Sequence, residues 1–168
     1  MSRNRLLQTV VVSLGLVFSA TLSLAQLPGE EPTLSQRVAQ LVEKNDVEAL
    51  RQIGPEVIPA MIWLYDLGDE AQRIRVANLF YKLEWKSPEA ERTLMVDVRT
   101  RNVDLRLAVQ YALGKVSDDP EVVETLLDIL QNDRVPLFRD KAACALAYDQ
   151  VHLTEAQRTR VYEGLIQA

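Results

Sequence analysis

Histidine and cysteine, the side chains most often used for catalysis and metal binding, occur once each, as His152 and Cys144. A zinc site built from nitrogen and sulfur donors needs about three or four ligands, so these two cannot assemble one. The same scarcity leaves no Ser-His-Asp or Cys-His relay, because a nucleophile needs a base and the base an orienting partner. His152 reads as a solvated loop residue between helices. Cys144 sits in the apolar run Lys141-Ala-Ala-Cys-Ala-Leu-Ala147 and reads as a small core hydrophobe, although a lone thiol could also pair with another chain. Gly29, Gly54, Gly68, Gly114 and Gly164 stand apart from one another, so no Gly-rich loop cradles a phosphate.

Carboxylates are the remaining candidates. Glu121, Glu124 and Asp128 fall at helical spacing on one face, where they would make half of an acid pair or a weak cation site. The same spacing also describes the solvated side of an amphipathic helix, and that is the reading we adopt. Asp118-Asp119 reads as a turn and an N-cap. The expectation is a chain with no catalytic residues, no cofactor and no metal.

The first 25 residues have the layout of a secretory signal peptide. Arg3 and Arg5 precede a mostly apolar stretch over 6–18, and Ser23-Leu24-Ala25 places small residues before a cut at Gln26. A lasting anchor would need about 20 predominantly apolar residues, whereas Gln8, Thr9, Ser13, Ser19, Thr21 and Ser23 interrupt this one. Cleavage leaves 143 of the 168 residues and moves the formal charge from −5 to −7 as Arg3 and Arg5 are lost. The expected location is periplasmic or secreted, with no membrane insertion after cleavage. An acidic chain is poorly suited to nucleic acid, whose binding rests on neutralising phosphates with Lys and Arg. One cysteine excludes an internal disulfide, so the core must hold the fold unaided.

The elements that would position any site are helical and repeated. Residues 26–33 read as a disordered lead-in, and 34–168 as one domain. Pro55, Pro88 and Pro120 lie 33 and 32 residues apart, and each is followed by glutamate. Proline suits the first helical turn, and glutamate beside it meets the positive end of the helix dipole. A fourth start, Thr154-Glu-Ala-Gln157, is a capping box. A second series, Ile74-Arg-Val-Ala77, Leu105-Arg-Leu-Ala108 and Phe138-Arg-Asp-Lys-Ala142, runs out of phase with the first. Two interleaved series at one period describe a repeated two-helix unit. The pairs are 34–53 with 56–67, broken near Asn45-Asp46; 70–84 with 88–100; 103–116 with 120–131; and 136–148 with 155–167. Such units hide their apolar faces only by stacking, so the expected fold is an all-α, right-handed α-solenoid of about four repeats.

The run Arg139, Ala142, Ala145, Leu146, its partial copy Arg106, Val109, Ala112, Leu113, and the second-helix pattern from Pro120 to Leu127 resemble short bacterial HEAT-like repeats. Residues 54–149 carry the resemblance; Asn78, Tyr81 and Lys82 depart from it. The resemblance implies the solenoid fold and a binding or scaffolding role. Phycobilin lyases share such repeats but act on pigment proteins in the cytoplasm, so export disfavours that activity here. The Trp/Gly/Tyr pattern of tetratricopeptide repeats is missing.

A solenoid binds through its concave face, lined by the second helices. Aligning these on their prolines puts Glu56, Pro59, Trp63 and Asp66 beside Glu89, Arg92, Val96 and Arg99, and beside Glu121, Glu124, Asp128 and Gln131, with Glu163 the fourth repeat's member. Trp63 with Glu56, Asp66, Arg92, Arg99, Glu124 and Asp128 forms the candidate surface for a protein or peptide partner, since Trp and Arg are enriched at binding hot spots. The alternative for Trp63 is a cap beneath the N-terminal segment. Arg75, Arg106 and Arg139 are expected to pair with acids between repeats, and Trp85 to pack. The apolar last helix, 161–168, leaves self-association open, as a structural subunit of an envelope assembly would require.

Overall fold

The computed structural model describes residues 31–148 and 153–167. The signal-peptide reading of 1–25, the lead-in over 26–30 and the loop reading of His152 lie outside the described residues. Within them the chain is all-helical, with no strand. The elements are α1 Leu34–Lys44, α2 Val47–Ile53, a 3-10 turn Pro55–Val57, α3 Ile58–Leu67, α4 Glu70–Leu83, α5 Pro88–Met95, α6 Val103–Val116, α7 Pro120–Asn132, α8 Pro136–Tyr148 and α9 Glu155–Gln167.

Nearly every start is written in local chemistry. A helix leaves its first N–H groups without partners, and short polar side chains supply acceptors: Thr33 for α1, Asp46 for α2, Asp69 for α4, Ser87 for α5, Asn102 for α6 and Asp119 for α7. Thr154 and Gln157 exchange bonds of 2.9 and 3.3 Å before α9, the expected capping box. The break inside 34–53 is real. Asn45 adopts a left-handed conformation with φ 54°, which an asparagine tolerates at a helix end.

One boundary departs from expectation. The proline-marked helix of 88–100 stops at Met95, and 96–99 continue only as turns. Backbone N–H groups of Asp97, Val98 and Thr100 reach carbonyls three residues back rather than four. Asp97 is held there by the Tyr65 hydroxyl and the Arg73 guanidinium, and β-branched Val96, Val98 and Thr100 weaken any helical continuation.

The helices pack in two connected sets. α4, α6 and α8 lie side by side in that order, α3 lies against α5, α7 against α9, and α1 and α2 against α4; α5 on α6 and α7 on α8 join the two sets. One contiguous core runs from Val38 of α1 to Val161 of α9. Tyr65, Phe80, Leu94, Leu113 and Leu126 are among its largest members, each 2% exposed or less; a fully buried side chain of this size contributes about 1.5–3 kcal/mol. Ala77, Ala112, Ala142 and Ala145 are fully buried on α4, α6 and α8, where small side chains let helix axes approach. At α9 the same job falls to Gly164, where an added Cβ would lie 2.8 Å from Leu130 Cγ.

Several of the side-chain bonds between elements fall at a separation of 32 or 33 residues. Glu43 pairs with Arg75, Tyr65 with Asp97, Glu70 with Asn102 and Lys86 with Asp118, all 32 residues apart, and Glu124 with Gln157, 33 apart. Arg75 and Arg106 thus find acids on neighbouring elements, Glu43 and Asp133, while Arg139 donates to the Asp133 backbone carbonyl at 2.9 Å.

Two further readings need correction or completion. Cys144 is partly exposed rather than a core residue, because Ala142, Ala145 and Leu146 take the buried side of α8. Trp85 packs on the core as expected. A polar group also sits where none was foreseen: Gln110 on α6 is wholly buried, and neither atom of its amide has a hydrogen-bond partner. An unsatisfied buried amide destabilises by about 1–3 kcal/mol. Gln110→Met keeps the length of the side chain and removes that burden, so it should raise unfolding free energy by about 1 kcal/mol or more. Urea denaturation of the two proteins checks this; a less stable variant refutes it.

Candidate functional site

Trp63 owes its position to the phase of α3. Val57, Met61, Leu64 and Tyr65 turn inward and are 0–8% exposed, which leaves Trp63 on the opposite side at 59%. On α5, Ala90 and Leu94 are buried and Val96, just past its end, is 81% exposed. Since α3 packs on α5, two large apolar side chains at equivalent positions lie uncovered on adjacent elements. Between the same helices runs a groove of about 580 Å³, lined by Ile58, Pro59 and Ile62 from α3 and by Pro88, Arg92 and Thr93 from α5. Trp63 follows Ile62 directly and stands outside the groove lining.

The charged members of the expected surface are less available than their exposure suggests. The Arg99 guanidinium donates to the Asp128 carboxylate. Asp128 also accepts from Asn132 at 2.7 Å, and these two donors, Asn132 first, hold its carboxyl below the usual aspartate range. Glu124 accepts from Arg160 at 2.6 Å and from Gln157 at 3.3 Å, with the Arg160 bond the main reason its carboxyl is held low. Arg92 meets Glu89 at 3.6 Å, one turn away. The polar stripe Glu121, Glu124, Asp128 is therefore not merely solvated, since two of its three acids tie α7 to its neighbours.

Glu56 does not join Trp63. It borders a second groove with Arg37, Gln40 and Gln52, on the side of α1 and α2. Asp66 is exposed, and its backbone carbonyl accepts from Arg73 at 3.3 Å. What the alignment of second helices missed is the groove itself, Ile58, Ile62 and Pro88. The signal was present: α3 reads Ile-Pro-Ala-Met-Ile-Trp-Leu-Tyr-Asp-Leu, apolar nearly all round, and a helix buried on one side only must then leave apolar surface outside.

Among the described residues, no three His, Cys, Asp or Glu side chains gather where they could hold a metal ion. Tyr65 and Asp97, with the partly exposed Arg73, form a polar cluster that joins α3 to α4 and to the turn after α5. No described helix is long and apolar enough to cross a membrane. Comparison with protein-family models, with curated proteins and with solved structures finds no match.

Proposed function

We propose that this chain is an exported, non-enzymatic helical-repeat protein of the HEAT-like α-solenoid kind, and that it binds a protein or peptide partner through the concave face formed by its second helices. Trp63 carries the reading: a tryptophan 59% exposed on α3, the helix that also supplies Ile58 and Ile62 to a groove rimmed by Arg92. Trp and Arg are the side chains most enriched at binding hot spots. The repeat reading is supported by the recurring separation of 32 or 33 residues between bonded side chains. Asp128 is bound to Arg99 and Glu124 to Arg160, so these charges hold helices in place and the anchor is apolar.

The experiment is a pull-down from the exported fraction with wild type and Trp63→Ala in parallel. Because Trp63 is largely in solvent, the substitution should leave stability within about 0.5 kcal/mol. Partner recovery should fall at least tenfold, about 1.4 kcal/mol of binding. Equal recovery by the two proteins removes the proposed face. Export has its own check, the N-terminus of the exported form, which should be Gln26.

A further inference from the structure

The groove between α3 and α5 has rigid apolar walls and an arginine that the protein itself leaves uncommitted. Three prolines line it, Pro55, Pro59 and Pro88, with the half-buried Ile58 and Ile62. A proline side chain has no rotamer freedom to lose, so seating a ligand against such walls costs little entropy. The volume, about 580 Å³, falls within the about 300–1,000 Å³ of sites that take small ligands. It suits a few residues of extended chain.

Arg92 gives the groove its sign. At the neighbouring joints, exposed arginines meet acids on the next helix: Arg99 donates to Asp128, and Arg160 to Glu124 at 2.6 Å. Arg92 aligns with Glu124, and the matching position on α3 is Pro59, which offers no carboxylate. Among the described residues the acid paired with Arg92 is Glu89, 3.6 Å away on the same helix. That is beyond hydrogen-bond reach, and Glu89 accepts instead from the Ser87 hydroxyl at 3.1 Å. Lys86, the other cation of the lining, is held by Asp118 at 2.8 Å. The Arg92 side chain, 67% exposed, thus keeps its fork of donors open beside apolar walls. A carboxylate brought from outside is what such a fork binds, through two parallel hydrogen bonds. We infer that the groove takes a short peptide segment in which an aliphatic side chain lies next to a carboxylate, the apolar part against Ile58 and Ile62 and the acid on Arg92. The net charge of −5 does not oppose this. Exposed charges more than about 8 Å apart are largely screened at physiological ionic strength, and the lining itself sets Lys86 and Arg92 against Glu89. The inference gives the partner its chemistry and so rests on the binding role proposed above, but not on Trp63, which stands outside the lining.

Calorimetric titration of the full chain with three end-capped hexapeptides, in which leucine alternates with glutamate, glutamine or lysine, tests it. The glutamate peptide should bind at least tenfold more tightly than the glutamine one, and the lysine peptide more weakly than either. Added salt should narrow the gap between the first two. Arg92→Gln should bring the glutamate peptide down to the affinity of the glutamine one, with an unchanged far-ultraviolet circular dichroism spectrum, since the side chain is largely in solvent. Ile62→Ala, checked in the same way for folding, should weaken both peptides by a similar factor. Equal affinity for the glutamate and glutamine peptides, a preference that survives Arg92→Gln, or no binding of any peptide overturns the inference. The pull-down judges the Trp63 face separately. A partner lost with Trp63→Ala but recovered in full with Arg92→Gln leaves that face standing and removes this groove.

Discussion

Asp133→Ala should remove about 3–5 kcal/mol of stability, the usual result of stripping one partner from a buried ion pair. Few surface changes come near this, and it is a large part of the 5–15 kcal/mol that holds a typical domain. The Arg106 side chain is 10% exposed and that of Asp133 is 9%. The Arg106 guanidinium carbon lies 3.8 Å from the centre of the Phe138 ring, so the group meets an apolar surface as well as the carboxylate. Its Nε has no hydrogen-bond partner, which makes Asp133 its main compensation. Asp133 also accepts from the Val135 N–H at 2.9 Å and so shapes the turn into α8. Arg106→Met alone should be milder, because the carboxylate left behind keeps the Val135 N–H. The double variant Arg106→Met with Asp133→Ala should recover most of the loss, since replacing both charges by apolar groups is often near neutral. Urea unfolding of all four proteins gives the coupling energy directly. A single-variant loss under about 1 kcal/mol would mean the pair behaves like a solvated one.

The contrast between legible and illegible features follows the range of the forces involved. Helix starts could be read because their determinants lie within four residues: Pro120 at a first turn, Thr154 bonding Gln157, Asp119 capping α7. The arginine series could be read in part. Arg75 and Arg106 do meet acids, though not equivalent ones, since Arg75 reaches back to Glu43 and Arg106 forward to Asp133. The early end of α5 could not be read, because what stops it is a hydroxyl on Tyr65, 32 residues earlier in the chain. Nor could the state of Glu124 and Asp128, whose partners Arg160 and Arg99 lie 36 and 29 residues away. On sequence alone an exposed acid and a bridging acid look identical. Cys144 shows the limit of composition, since an alanine-rich setting fixes the burial of a helix but not which side chain takes its edge.

The second large effect belongs to the buried cluster that stops α5. Asp97→Ala should cost about 2–4 kcal/mol, because it leaves the Tyr65 hydroxyl without an acceptor and the Arg73 guanidinium without its carboxylate. Tyr65 is 1% exposed and donates to Asp97 at 2.8 Å; Arg73 reaches the same oxygen at 3.3 Å and the Tyr65 carbonyl at 3.2 Å. Tyr65→Phe should be milder, about 1–2 kcal/mol, since Arg73 still satisfies the acid. The two variants part company in alkali. Burial, then the hydrogen bond to Asp97 and its negative charge, pushes the Tyr65 phenol well above its ordinary value near 10. A group raised in the folded state gives stability that is whole below its unfolded value and is lost as pH climbs past it. Above pH 10 the unfolded chain sheds a proton that the folded one keeps, so wild type should lose up to about 1.4 kcal/mol per pH unit from this phenol. Tyr65→Phe lacks that loss. Its deficit against wild type should therefore shrink between pH 10 and 11, whereas the deficit of Asp97→Ala, which keeps the phenol, should shrink less. Unfolding free energies at pH 8, 10 and 11 decide the matter, and parallel curves for wild type and Tyr65→Phe would show that the phenol ionises in the folded chain as readily as in the unfolded one.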